Sequence, residues 1–311
     1  MNEQLLNAIN EPLRLLQDPS ARTWWPALVG GLLIASAYEI VTARTGRLRA
    51  VRRGLLLGPL LHPSSQVDLQ LLFVRGLIRV FFIGSLPWTI KFVSIKTVAL
   101  LYGTVGEPPP ISLGTGLIAA YSIAFFVVSD LSRYMVHRLL HGVSFLWRFH
   151  QVHHSAEVLT PFSLYRIHPV EQFLQALRRL VVVGTMAGIF AWLSRGHASV
   201  WTLYGVPGIV LGFGVLGANI RHSHVWLPYP AWLERVLISP AQHQQHHGLS
   251  EAEQRANYGS MLAVWDWCLG SLRLSSAGQP EAFGLQPEHR CHDPRRLRSV
   301  LLDPLRLKRN P

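Results

Sequence analysis

Charge is what this chain has least of. Only 15% of its 311 residues are Asp, Glu, Lys or Arg, where an average soluble domain carries roughly a quarter. Acidic residues are the scarcer kind, 17 against 29 Lys and Arg, so the formal net charge is +12. Two cysteines, Cys268 and Cys291, are too few for a disulfide framework. There is no Cys-x-x-Cys, no P-loop, no His-Glu-x-x-His and no set of Glu-x-x-His pairs. These absences argue against a structural zinc site, a zinc protease and a carboxylate-rich dimetal bundle. No tract of low complexity and no internal repeat occurs. What is present is apolar: 49% hydrophobic residues and a mean hydropathy of +0.24. A soluble protein this basic would suggest nucleic acid as a partner. A chain with long apolar runs instead suggests basic loops facing an anionic cytoplasmic membrane surface, so nucleic acid is not expected.

The apolar runs predict an all-α, polytopic membrane protein with four to five transmembrane helices and a cytoplasmic helical cap. No signal-peptide core is visible in the first 22 residues. Leu5, Leu6, Ile9, Leu13 and Leu16 recur at helical spacing, which suits either a helix lying on the membrane or an ordinary packed one. Trp24 and Trp25 open an apolar run to about residue 43, broken only by Glu39 and long enough to span the hydrocarbon. A basic loop follows, with Arg44, Arg47, Arg49, Arg52 and Arg53. A second apolar region, about 69–103, is interrupted by Arg75, Arg79, Lys91 and Lys96. Residues 108–129 carry no charge and read as a third span ending at Asp130. Stretches 180–194 and 196–220, parted by Arg195, read as a hairpin. The arginine loop, Arg133, Arg138, Arg178, Arg179 and Arg221 then share one face, cytoplasmic by the positive-inside rule, and the histidines fall on it too. Gly212-Phe-Gly214-Val-Leu-Gly217 fits a nucleotide-loop spacing but sits inside a charge-free run, where small residues suit helix contacts.

Histidine is the outlier: 15 residues, most of them between His137 and His247. They form three dense boxes, His137-Arg-Leu-Leu-His141, His150-Gln-Val-His153-His154 and His243-Gln-Gln-His246-His247. On a helix each box points two or three imidazoles the same way. Eight imidazoles packed together would suffer desolvation and, when protonated, mutual repulsion. A divalent metal removes both costs, and two ions with four or five nitrogens each would absorb the set. His62, His197, His289 and His292 read as solvated loop or tail residues. A metal-bound histidine commonly donates its other N–H to a carboxylate, and Asp130, Glu171 and Asp266 are the nearest candidates by sequence. Asp130 is equally suited to cap the helix carrying the first box.

The order HxxxH, HxxHH, HxxHH in a lipid-embedded chain resembles the fatty acid hydroxylase/sterol desaturase superfamily. The resemblance covers roughly residues 110–275. It extends to Asp130 and Tyr134, Trp147-Arg148-Phe149, Arg166-Ile167-His168-Pro169-Val170-Glu171, His222-Ser223, Pro240, Asn257-Tyr258-Gly259, Trp265-Asp266 and Gly270. It implies N-terminal membrane-anchoring helices over 1–110, a catalytic domain over 111–275 and a basic C-terminal tail over 276–311. It implies a di-iron centre held by His137, His141, His150, His153, His154, His222, His243, His246 and His247. It leaves open whether His168 and His224 are also direct ligands. The implied activity is O2-dependent hydroxylation, or desaturation, of a lipid C–H bond. No His-Pro-Gly-Gly segment of a fused cytochrome b5 domain is present, so electrons are expected from a separate protein such as a reductase, ferredoxin or cytochrome b5-like carrier. Two other readings remain: a non-redox metal-binding or metal-transporting membrane protein, and a histidine-zinc lipid hydrolase. The first would need an ion path through the spans, for which Glu39, Arg75, Arg79 and Lys91 are the only candidates.

Overall fold

The computed structural model describes residues 10–18, 21, 24–42, 57–79, 86–110, 114–195 and 218–306. The arginine loop, the second arm of the expected hairpin, the glycine motif at 212–217, His197, and Lys308 and Arg309 of the tail lie outside the described residues. Among those described the fold is helical, with two isolated β-bridges and no strand.

In chain order the helices are α1 (Glu11–Gln17), α2 (Trp25–Thr42), α3 (Leu57–Leu61), α4 (Pro63–Ile78), α5 (Leu86–Thr104), α6 (Thr115–Gly142), α7 (Ser144–His154), α8 (Pro169–Leu193), α9 (Ala231–Glu234), α10 (Pro240–His246), α11 (Glu251–Gln254), α12 (Val264–Cys268) and α13 (Leu297–Leu302). Leu15 of α1 is buried against Leu72 and Tyr165, so this end of the predicted amphipathic helix is packed on protein. Ala35 of α2 packs on Ile220 and Val225, beside the turn that ends in His222.

Among the described residues two helices, α6 and α8, are long and apolar enough to cross a membrane. At 1.5 Å per residue the 28 residues of α6 reach about 42 Å. The helix does not end at Asp130, as the charge pattern suggested. Between Gly116 in its first turn and Gly142 at its end, no Gly or Pro interrupts it. Nor does Asp130 cap it: Gly114 is the N-cap, and the Asp130 carboxylate accepts from Met261 N, Leu262 N and Trp265 Nε1 at 3.0–3.1 Å. An apolar stem thus continues, without a break, into the polar end that carries the first box. Extended backbone at Val143 (φ −104°, ψ 112°) then turns the chain into α7.

α8 packs closely on α5, and two glycines permit it. A Cβ at Gly188 would lie 2.5 Å from Thr97 Cβ and 2.7 Å from Ser94 O, and one at Gly184 would lie 2.7 Å from Val93 Cβ. Lower down, Val67 and Leu71 of α4 form a buried cluster with Val152 of α7 and Val300 of α13. The C-terminal segment is therefore part of the core. His292, expected to be solvated, is only 6% exposed and its Nε2 lies 2.9 Å from Ser155 Oγ. His289 is exposed, as expected, and His62 caps α4 by accepting from Ser64 N.

Candidate metal centre

Three helices and one turn meet at the site. α6 supplies His137 and His141 from its last two turns, α7 supplies His150, His153 and His154, and α10 with its C-cap supplies His243, His246 and His247. The 3-10 turn Ala218–His222 supplies His222. The nine rings sort into two groups. His137, His141, His150, His154 and His246 each offer a nitrogen within 4.8 Å of the others, and His153, His222, His243 and His247 do the same. The groups adjoin, with the His154 and His247 rings stacked at 4.6 Å between centroids. Each His-His dipeptide is shared out, one residue to each group. Consecutive helical residues point about 100° apart, so adjacent imidazoles reach neighbouring sites from one backbone position.

The nitrogens are arranged as a cation would need them. His137 Nδ1 donates to Tyr258 O at 2.8 Å and His246 Nδ1 donates to Ala256 O at 2.7 Å. A carbonyl can only accept, so both Nε2 atoms carry lone pairs, and these face each other at 3.0 Å. Two facing lone pairs repel unless a positive charge shares them. His141 Nε2, His150 Nε2, His153 Nδ1, His243 Nδ1 and both nitrogens of His154 and His247 are buried without a hydrogen-bond partner. So many ring nitrogens without a partner in one place are costly in a metal-free protein. Burial pushes His150 and His153 down to about 3, and for His153 the neighbouring imidazoles add to it. His154, His243, His246 and His247 fall well below the ordinary range for the same two causes. The rings are thus neutral, the form that binds metal. The nine residues fit two transition-metal ions.

The supporting residues fix the rings from behind. Glu171, in the first turn of α8, holds His150 Nδ1 at 3.0 Å. Asp266 accepts from Tyr258 N, Gly259 N and Ser271 Oγ, fixing the loop whose Tyr258 carbonyl holds His137. Burial raises the Asp266 carboxyl to about 6, against the pull of those hydrogen bonds. Gly259 is required there: a Cβ would lie 2.6 Å from Leu262 O and 2.8 Å from Asp266 Oδ2. Asp130 steadies the next stretch, 261–265, and touches no histidine directly. His168 stands apart from both groups: its Nδ1 accepts from Val170 N and its Nε2 donates to Leu301 O at 3.0 Å. His224 is in neither group.

Sequence reasoning passed over the glutamines of the third box. Ser239 and Gln242 form a reciprocal cap at the start of α10. Gln244 Nε2 reaches Ile220 O, Ser223 O and Val225 O at 2.8–3.3 Å, tying the His222 turn to α10. Gln245 does the same for Leu274 O and Gly278 O. The available signal was polar side chains between ligands on a helix with no exposed face.

Sequence comparison converges on the same residues. The model of the fatty acid hydroxylase family matches residues 122–271, which contain all nine clustered histidines. Ornithine lipid hydroxylase OlsE of Rhizobium tropici is 30% identical over 148 residues, covering 47% of this chain and 39% of that protein. Lathosterol oxidase of Mus musculus is 27% identical over 208 residues, 64% of this chain and 61% of the relative. Alkylglycerol monooxygenase of Danio rerio is 26% identical over 162 residues, 49% and 30%. The chain thus spans less than two thirds of the length of each. No solved structure matches. On the family match and these relatives, residues 122–271 form a domain of the fatty acid hydroxylase family, and the chain is similar beyond it to sterol-oxidising relatives.

Proposed function

We propose that this protein is a membrane di-iron oxygenase that uses O2 and external electrons to hydroxylate, or alternatively desaturate, a C–H bond of a lipid. The observation that carries the reading is the division of nine clustered histidines, seven of them buried, into groups of five and four, with the His137 and His246 lone pairs facing each other. Imidazole-only sites suit iron, copper, nickel and zinc, and the family relationship, with relatives named as hydroxylases, oxidases and monooxygenases, selects redox chemistry on lipids. When bound, a pair of irons would supply the reductive activation of O2 that an unactivated C–H bond demands.

The chain's own residues bind, orient and exclude water. His137, His141, His150, His154 and His246 would hold one ion, and His153, His222, His243 and His247 the other. Glu171, Tyr258 O and Ala256 O fix the tautomers of His150, His137 and His246. Placing one oxygen atom in substrate while the other leaves as water takes two electrons and two protons, so a separate electron-donor protein is part of the proposal. In the proposed topology four to five helices cross the bilayer, with the helices of 1–110 as anchor, 111–275 as catalytic domain and the histidine site on the cytoplasmic face. A lipid chain would then enter along α6 and α8, whose apolar lengths lead up to His137 and Glu171.

Elemental analysis of detergent-purified protein, with Mössbauer spectroscopy after iron loading, tests this. About two irons per chain, lost in His153→Ala, support it. Zinc alone, with no iron uptake under reducing conditions, would move the site to hydrolysis or metal handling.

A further inference from the structure

The second histidine box supplies His150 and His154 to the first group and His153 to the second, so its adjacent pair, His153 and His154, is divided between them. Both sit at the very end of α7, where backbone carbonyls have no partner within the helix. The carbonyl just before them, Val152 O, accepts from Arg166 Nε at 2.9 Å. Arg166 is fully buried and spends its whole guanidinium on this corner. Nε and Nη2 donate to Ser155 Oγ at 3.2 and 3.1 Å, Nη1 donates to Ser64 O and Asp68 Oδ1 at 3.1 and 2.8 Å, and Nη2 also donates to Pro294 O at 2.6 Å. Asp68, equally buried, takes Ser163 Oγ on its other oxygen at 2.7 Å. His292 Nε2 closes the ring on Ser155 Oγ. Two more ties bring the C-terminal segment to the same helix: Cys291 N donates to Gln151 Oε1 at 3.1 Å, and Arg148 Nη2 donates to Arg306 O.

We propose that the buried Asp68–Arg166 pair, together with the C-terminal segment it gathers, positions His153 and His154 so that both metal sites form. Asp68, His292 and Pro294 lie outside the family-matched residues 122–271, on either side of them. A guanidinium bonded to a helix's last carbonyls fixes the direction in which that helix ends. It needs a buried carboxylate to be tolerated there, and α4 provides one. Holding the pair is a geometric demand: two adjacent side chains must aim at two centres, and a small rotation of the helix end misplaces both. Asp68 and Arg166 are positioning residues: neither side chain bonds a ligand nitrogen, and Arg166 meets the His153 ring only through its backbone. The inference rests on reading the nine histidines as ligands.

That dependence sets the test. Replacing a buried ion pair by apolar residues of similar volume commonly keeps the fold, so the informative variant is the double one, Asp68→Leu with Arg166→Met. Ser155→Ala, which removes the shared acceptor without touching a charge, is the second variant. Metal-free protein is followed by thermal unfolding, then titrated with Co(II), reading the ligand-field bands of each equivalent. The expected result is a metal-free melt like that of the unsubstituted protein, with both equivalents weakened together by 10- to 100-fold, the usual cost of losing support behind metal ligands, and altered band positions. A smaller loss at both equivalents is expected for Ser155→Ala. Unchanged affinities and bands in either folded variant overturn the proposal. If the double variant does not fold, Ser155→Ala decides by the same criterion. Failure of the unsubstituted protein to bind two cobalt ions would instead count against the metal-site reading itself.

Discussion

Glu171 offers a way to weaken one metal and leave the other. Its Oε2 sits 3.0 Å from His150 Nδ1, with the two side chains 5% and 3% exposed. A hydrogen bond to a charged acceptor contributes about 1.5–3 kcal/mol, and a neutral one about 0.5–1.5 kcal/mol. Well above pH 7, where the carboxyl that burial raises to about 7 is ionised, Glu171→Gln keeps an acceptor oxygen of the same reach and loses only the charge, a difference of about 1–1.5 kcal/mol, or roughly tenfold in affinity. Glu171→Ala loses the whole bond and frees the His150 ring to rotate, which extends the loss to about 10- to 100-fold. Only the group of five contains His150, so the loss should be concentrated in one of two metal equivalents. Titration of metal-free protein with Fe(II) or Co(II) against a chelator of known affinity, resolving the two steps, measures it. The order unsubstituted, Gln, Ala in one step, with a much smaller change in the other, is the expected outcome. Equal weakening of both steps, or less than a twofold change in Glu171→Ala, would refute the assignment of this carboxylate to one site.

Acidification should destabilise the metal-free protein. His150 and His153 lie at about 3 when folded and near 6.5 when unfolded, so the unfolded chain gains protons first and stability falls as pH drops below about 6.5. At pH 5.5 each such histidine costs about 1.4 kcal/mol, opposed by the raised carboxyls of Glu171 and Asp266, which protonate first in the folded protein, so a net loss smaller than the histidine sum should appear in chemical unfolding curves recorded at pH 7.5 and 5.5. Bound metal should move the onset of that loss to lower pH, because protons must displace it. Gly188→Leu should lower the melting temperature in detergent, since its Cβ would meet Thr97 Cβ at 2.5 Å and overpacking costs about 1–3 kcal/mol. Gly116→Ala, with nothing within 4 Å, should be neutral or slightly stabilising. His168→Asn should keep both metals in elemental analysis, because both ring nitrogens are already bonded to backbone and Asn can still cap α8.

Much of the site was legible because ligation leaves a local mark. Histidines at i and i+4, or i and i+3, share a helix face whatever the rest of the chain does, so the three boxes pointed to the two histidine clusters that could hold metal. The bend between the first two boxes is made by the extended backbone at Val143. Less legible was the partition into five and four. It depends on how three helices cross, and nothing in His-His itself says which imidazole goes where. Asp130 illustrates a different failure. A charge after an apolar run reads as the end of a span and a favoured cap, yet its oxygens are occupied by Met261, Leu262 and Trp265, 131 to 135 residues away. Once a distant loop satisfies the carboxylate, nothing local stops the helix.

The same distinction explains His292 and the C-terminal segment. Arg295, Arg296 and Arg298 give the segment a solvated composition, and all three are exposed. Composition reports the outward face only. The inward face is a few apolar and backbone groups, Val300 against Val67 and Val152, and Pro294 O on Arg166. Backbone carbonyls are invisible to any reading by residue type. Arg166 and Asp68, 98 residues apart, show what this costs: each alone resembles an ordinary surface charge, and only the pair explains why both can be buried. The chemistry at this site is written in clustered histidines. The precision with which they are aimed depends on single residues scattered through flanking helices, each of which becomes intelligible only beside its partner.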